Sequence, residues 1–214
     1  MPKTVDVDER RQEITDAAAR LIARAGIGAA TMREVAAEAG WTTGSITHYF
    51  TDKRELLLRT LQASLASRRG GRVGRAADGP AKALRAVLAD ALPLDEPSRR
   101  HWMVTVAFCA QAAGDPEMAQ VQRDAYRDFR ALVAKLIIRC EHAGALVVPH
   151  GPQRMAEELI AFTDGIALQA LFDPESWPQR RQLHELDRTL GRLAADVTAD
   201  VMADVTPSPG DAPS

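Results

Sequence analysis

The side chains best suited to chemistry lie between Thr31 and Lys53. Thr43 and Thr47 stand one helical turn apart, as do Gly44 and His48, so in a helix all four share the side away from Ile46. Hydroxyls, an imidazole and a glycine on one face suit hydrogen bonds to base edges and close approach of a nucleic-acid backbone. An ordinary solvated face would carry Glu and Lys instead. Thr31, Thr42 and Ser45 add hydroxyls near two helix starts, Tyr49 adds a phenol and Lys53 a cation. One at a time these residues have plainer readings: Tyr49 and Phe50 as core, His48 as a solvated side chain, Lys53 as part of a solvated helix start. Their combination outweighs its members and points to double-stranded DNA.

Elsewhere the chemistry is sparse. His101, His142, His150, His184 and Asp95-Glu96 are scattered, and Cys140-Glu141-His142 has no second cluster at metal-ligand spacing. Neither a nucleophile motif nor a phosphate-binding glycine loop is present. The expectation is a protein that is not an enzyme and holds no metal or cofactor. Cys109 and Cys140 sit in apolar helical patterns and read as buried free thiols rather than a disulfide.

The elements that must position the Thr31–Lys53 groups read as helices. Ile14, Ala17, Ala18, Leu21 and Ile22 mark one face of a first helix, ended at Gly26. Thr31-Met32-Arg33-Glu34 reads as a capping box opening a short second helix that closes at Gly40. Thr42 caps a third, with Ile46, Tyr49 and Phe50 as its inner residues. Asp52 and Glu55 start a longer fourth helix marked by Leu57, Leu61 and Leu65. The tight turn at Gly40-Trp41 between two short helices fits a helix-turn-helix whose second helix enters the major groove. Gly70 to Pro80 reads as a break.

Beyond the break the helices lengthen. Leu84, Val87, Leu88, Ala91 and Leu92 mark one, stopped by Pro93; Ser98 to Ala113 is apolar nearly all round, as in a helix buried on most faces. Asp115-Pro116 opens the longest, which runs to about Ala143 and would span ~42 Å. Gln153–Phe172 and Pro178 to about Asp204 are the last two. The expected fold is all-α with about nine helices. Residues 1–69 form a helix-turn-helix domain with its connecting fourth helix, and 70–206 a ligand-binding and dimerisation domain. Residues 207–214 are a disordered tail.

Charge follows this division. Of the 27 Lys/Arg and 29 Asp/Glu, residues 1–76 carry 13 and 9, so a small basic head precedes an acidic body, as expected if only the head meets a polyanion. The N-terminus lacks the pattern of a signal peptide and no run is long enough to span a bilayer, so the expected location is cytoplasmic, with no membrane partner.

The run Thr31-Met32-Arg33-Glu34-Val35-Ala36, then Ala39 to Phe50 and Asp52-Lys53-Arg54-Glu55-Leu56-Leu57, resembles the TetR family of repressors over about residues 10–65. The resemblance implies a dimeric DNA-binding protein. By position, Thr31 and Thr42 would cap their helices and face phosphates, and Thr43, Gly44, Ser45 and Thr47 would read bases. His48 and Tyr49 would contact phosphates, and Lys53 would supply a cation. Trp41 departs from the family, which usually has a smaller aliphatic residue there; it either packs in the turn or lies against the sugar-phosphate backbone. With few long side chains on the reading face, specificity would rest partly on thymine methyls and DNA shape.

The body carries no sharp motif. Trp102, Thr105, Phe108, Tyr126, Phe129 and Phe162 are the candidate lining of an effector pocket, although Met103 and most of these large residues also read as plain core. Gln111, Thr163, Asp164 and Gln169 are polar groups within apolar helices, costly to bury unless paired, and His101 is placed for a pocket entrance. Phe162 to Leu171 resembles the penultimate helix of TetR-family members with a BetI-like C-terminal half. The resemblance implies a four-helix dimer interface, with Gly165, Ala167, Leu168 and Ala170 on one helix and Leu183, Leu186, Leu190 and Leu193 on the last. Packing within one chain explains the leucines nearly as well. The expected partners are operator DNA, a second copy of the chain and an unidentified small molecule that releases the DNA. An activator of the same fold, or a helical small-molecule carrier without DNA, are the alternatives.

Overall fold

The computed structural model describes residues 7–73 and 79–203, with side chains for 7–66 and 79–194. Among the described residues the chain forms nine α-helices and no strand. They are α1 (Val7–Ala25), α2 (Met32–Ala39), α3 (Thr43–Ile46), α4 (Lys53–Val73), α5 (Pro80–Ala89), α6 (Glu96–Ala112), α7 (Pro116–His142), α8 (Pro152–Phe172) and α9 (Gln179–Ala203), with a 3-10 turn at Ile27–Ala29.

The helix boundaries follow local signals. Thr31, Thr42, Asp95 and Asp115 each accept a backbone N–H of the first turn they open, satisfying donors that a helix start leaves free. At α2 half of the expected capping box forms. Glu34 pairs with Arg33 rather than reaching back, and the Thr31 N–H donates to the Ala29 carbonyl. At α4 both side chains take part, with the return bond one residue early: Asp52 accepts the Glu55 N–H, and the Glu55 carboxylate accepts from the Thr51 N–H and hydroxyl, all at 2.8 Å. Gly40 ends α2 in the left-handed region at φ 75°, where a side chain would be strained.

Three sequence expectations change. Helix α3 is one turn long, because His48 and Tyr49 tighten to i→i−3 bonds on Ser45 and Ile46. Helix α4 continues through Gly70 and Gly71 to Val73, across the expected break; residues 74–78 of that break and the expected tail at 207–214 lie outside the described residues. Helix α6 is buried on one side only: Trp102, Val104, Thr105 and Phe108 point inward, whereas Met103, Cys109 and Gln111 are exposed. Cys109 is therefore not a core thiol, and Cys140 is.

Two apolar clusters hold the chain together. The larger joins α5, α7, α8 and α9, with Trp102 of α6; the Trp102 indole N–H donates to the Ala91 carbonyl at 2.7 Å. The other gathers Ile14, Ala18 and Ile22 of α1, Val35 and Ala36 of α2, Ile46, Phe50, and Leu56 and Leu61 of α4. Its remaining wall comes from beyond the first four helices: Val104 and Phe108 of α6 and Met118 of α7. The head thus completes its core with body residues, and α6 serves both clusters.

Truncating a fully buried aromatic leaves a cavity as well as losing transfer energy. Phe108→Ala is expected to lower unfolding stability by about 3–5 kcal/mol in urea titration, although Phe108 lies outside residues 1–69.

Candidate nucleic-acid interface

Around α3 the chain divides sharply into an inner and an outer side. Ile46 and Phe50 are fully buried, and they anchor this short element against α1, α2 and α4. Thr42, Thr43, Gly44, Thr47 and His48 are exposed together, with Ser45 and Tyr49 half-buried at the edge. A four-residue helix has little stability of its own; here it is held by tertiary packing and by a dense set of short polar contacts. Thr42 Oγ1 accepts the Ser45 N–H at 3.1 Å and shares a hydrogen bond with Ser45 Oγ at 2.8 Å. The Thr47 hydroxyl donates to the Gly44 carbonyl at 2.8 Å, which turns its methyl group away from that carbonyl. Gly44 has only Thr42 Oγ1 near the position a Cβ would take, at 4.0 Å, so its outer surface is open to a close-approaching partner.

The flanking groups divide in their roles. Thr31 is exposed at the start of α2, where it caps the helix. Lys53, the first residue of α4, is half-buried and donates to the Gly28 carbonyl at 3.5 Å, a long contact that ties α4 to the 3-10 turn. Trp41 packs in the turn, edge-on to Tyr49 with ring centroids 5.6 Å apart and planes at 80°. Its other side lies under the Arg10 guanidinium, 5.2 Å from the ring centroid. Helix α2 is clamped to α1 by Glu38, which accepts from Arg20 at 3.1 Å and Arg24 at 2.9 Å. The Arg24 and Arg20 hydrogen bonds hold the Glu38 carboxyl below its ordinary range.

A seam of polar contacts joins this head to the body. Arg54, one residue into α4, forks onto both Asp115 oxygens at 2.8 and 3.0 Å and reaches Glu117 at 2.8 Å. The Arg54 hydrogen bond, with those from the Met118 and Glu117 N–H groups, holds the Asp115 carboxyl below its usual range. Farther along, Ser64 Oγ of α4 lies 2.9 Å from His101 Nδ1, and the opposite ring nitrogen lies 3.3 Å from Thr105 Oγ1. His101 was placed by sequence at a pocket entrance; it sits at the α4–α6 contact, beside a small cleft of about 120 Å³ that includes Thr15, Thr60 and Arg100. Nothing in the sequence spacing marks the Arg54–Asp115 and Ser64–His101 pairings, because those partners stand 61 and 37 residues apart.

The candidate effector residues separate. Trp102, Phe129, Tyr126 and Phe162 belong to or pack against the body cluster, and Thr105 is buried beside His101. Phe108 lies in the other cluster, under the head. The Tyr126 hydroxyl donates to Asp164 Oδ2 at 2.8 Å, crossing from α7 to α8. Burial, followed by the Asp164 charge and hydrogen bond, pushes the Tyr126 phenol well above its ordinary range. Thr163 satisfies its hydroxyl within α8 on the Leu159 and Ile160 carbonyls, and Gln111 and Gln169 are exposed.

The candidate dimer residues also separate. Gly165 and Leu168 are exposed on α8, in line with Ala161 and Phe172 at helical spacing. Ala167, Ala170 and Leu186 are buried within the chain, and Leu183, Leu190 and Leu193 pack against the same core. Leu186, wholly covered by its own chain, has no surface left for a partner.

Known proteins resemble the chain along nearly all of its length. A family of bacterial regulatory proteins, tetR family, matches residues 14–60, and BetI-type transcriptional repressor, C-terminal, matches residues 80–195. The HTH-type transcriptional regulator PksA of Bacillus subtilis is 32% identical over 178 residues, covering 81% of this chain and 84% of that protein. The HTH-type transcriptional regulator BetI of Burkholderia thailandensis is 32% identical over 179 residues, covering 79% and 85%. Among solved structures, a transcriptional regulator from Rhodococcus superposes with a TM-score of 0.76 at 29% identity, over 87% of this chain and 96% of that one. A regulator from Saccharomonospora viridis in complex with choline superposes with a TM-score of 0.80 at 22% identity, over 86% and 96%. An exposed helix-turn-helix face on an all-α frame, matched at both ends by these families, makes this chain a member of the TetR family of transcriptional regulators, with a BetI-type C-terminal half.

Proposed function

We propose that the protein is a repressor that binds a palindromic operator as a homodimer and is released by a small-molecule effector. The observation that carries this reading is the outer face of α3. Thr43, Gly44, Thr47 and His48 are exposed together while Ile46 and Phe50 are buried beneath them. Such a face presents donors, acceptors and methyl groups to base edges from a rigid platform. One head covers too few base pairs for a specific site, so a two-fold dimer would place two heads in successive major grooves.

The dimer surface proposed is the outer side of α8. Among large apolar residues of the described body, Phe172 is 74% exposed, Leu168 42% and Met103 38%. Gly165 lies one turn before Leu168 with open space where a Cβ would stand, which permits close approach of a second helix. Burying the exposed Phe172 ring against a copy would contribute roughly 1.5–3 kcal/mol, and Leu168, already half covered, less. Leu190 and Leu193, both partly exposed on α9, would flank this contact.

Release would act through the seam. An effector shifts the equilibrium only as far as its affinity differs between two body conformations. Helix α6 bears on both apolar clusters, so a displacement in the body core would be passed to α4 and the head. The Tyr126–Asp164 pair is a polar anchor between α7 and α8 that suits an effector bearing a donor or a positive charge; choline in the Saccharomonospora protein is such a molecule. An activator of the same fold would carry the same head, and operator position relative to the promoter separates the two.

Mobility shift of the purified protein on DNA flanking its own gene tests the reading. A saturable complex resistant to competitor is expected, and Thr43→Ala is expected to weaken it by about 1–3 kcal/mol per lost base contact without lowering thermal stability. Absence of specific sites both there and in a genome-wide pull-down would overturn the operator reading. For the dimer, Leu168→Glu combined with Phe172→Glu is expected to yield monomers in sedimentation equilibrium at micromolar protein. A variant that stays dimeric would place the interface elsewhere.

A further inference from the structure

An open cleft of about 530 Å³ lies between α1 and the helix-turn-helix, lined by Arg10, Gly40, Trp41, Thr42, Ser45 and Tyr49. It adjoins the α3 face and shares Thr42, Ser45 and Tyr49 with it, whereas Arg10 and Trp41 have no part in the base-reading role. Its floor is the Trp41 indole, braced edge-on by Tyr49, and the Arg10 guanidinium lies over that indole at 5.2 Å. Both hydrogen bonds from Arg10 to Glu13, at 2.9 and 3.2 Å, leave from the single nitrogen Nη1. The rest of the guanidinium fork has no other hydrogen-bond acceptor among the described residues.

An arginine stacked on an aromatic ring is already restricted in conformation, so a second acceptor orders it at lower entropic cost. Its planar fork and permanent charge match the paired oxygens of a phosphodiester. A smaller aliphatic residue in place of Trp41 would offer Arg10 no ring to rest on. We propose that Arg10, held over Trp41, is a backbone-phosphate ligand of bound duplex DNA and extends each head's footprint beyond α3 onto the flanking strand. This rests on the DNA-binding reading, and it makes Trp41 a positioning residue for a cation on another helix. The rival account is a solvated Arg10–Glu13 pair with no partner beyond the chain.

A phosphate contact is blind to sequence, so the test needs no operator. Full-length protein is titrated with a mixed-sequence duplex by fluorescence anisotropy, between about 50 and 200 mM salt. The chains compared are wild type, Arg10→Gln, Trp41→Phe, Trp41→Leu and, as a control for lost charge, Arg85→Gln, whose side chain pairs with Asp187 on the body. Loss of one phosphate contact is expected to reduce the slope of log K against log salt by about 0.9 per seated head. It also weakens binding by roughly eightfold per head near 0.1 M salt. Arg10→Gln should show both effects, Trp41→Leu a part of them, and Trp41→Phe and Arg85→Gln neither. An Arg10→Gln line that superposes on wild type overturns the proposal, as does an equal loss in Arg85→Gln. Failure of the wild-type protein to bind any duplex would instead overturn the DNA-binding reading on which this one stands.

Discussion

Val104, Phe108 and Met118 close the apolar core of the first four helices from the far side of the chain. Without them, Leu56, Leu61 and the inner face of α1 would lose part of their cover, and apolar surface left in water costs about 25 cal/mol per Å². The reading head is therefore not a separately closed unit carried on a strut. Its orientation is set by whatever sets α6 and the start of α7. Interiors packed this tightly respond to displacement by moving as bodies rather than by compressing, which makes α6 the element through which the two halves constrain each other.

Polar groups gather along the same seam. Arg54 forks onto Asp115 and Glu117 where α7 begins, and His101 lies between Ser64 of α4 and Thr105 of its own helix. The exposed Arg54 pairs add little to stability in water. Their geometry does more: a fork bound to two carboxylates accepts few relative angles between α4 and the α6–α7 turn. Apolar packing supplies the affinity of head for body, and the directional contacts select the angle.

The outer face of the head follows from a similar division of labour. Helix α3 is too short to persist alone, yet Ile46 and Phe50 beneath it and the Thr42–Ser45 contacts at its start hold its exposed residues in place. That arrangement pays the ordering entropy at folding rather than at DNA binding. Trp41, with Tyr49 on one side and Arg10 on the other, extends the ordered surface past α3 towards α1.

Local features of the chain were legible without coordinates. The caps at Thr31, Thr42 and Asp115, the stop at Gly40 and the inward placing of Ile46 and Phe50 depend on neighbours within about one helical turn, so residue order alone determines them. The exposed Thr43–Gly44–Thr47–His48 face follows from the same periodicity. What tertiary structure decided is which stripe meets which. Phe108 looked like pocket lining and lies under the head, and Leu186 looked like a dimer contact and is enclosed by its own chain. The Arg54–Asp115 and Tyr126–Asp164 partners stand 61 and 38 residues apart. An apolar stripe specifies that a face is buried but not by what, and a polar side chain inside a helix specifies that it needs a partner but not which. Those choices belong to the packing of whole helices, where contacts between distant segments settle the energy.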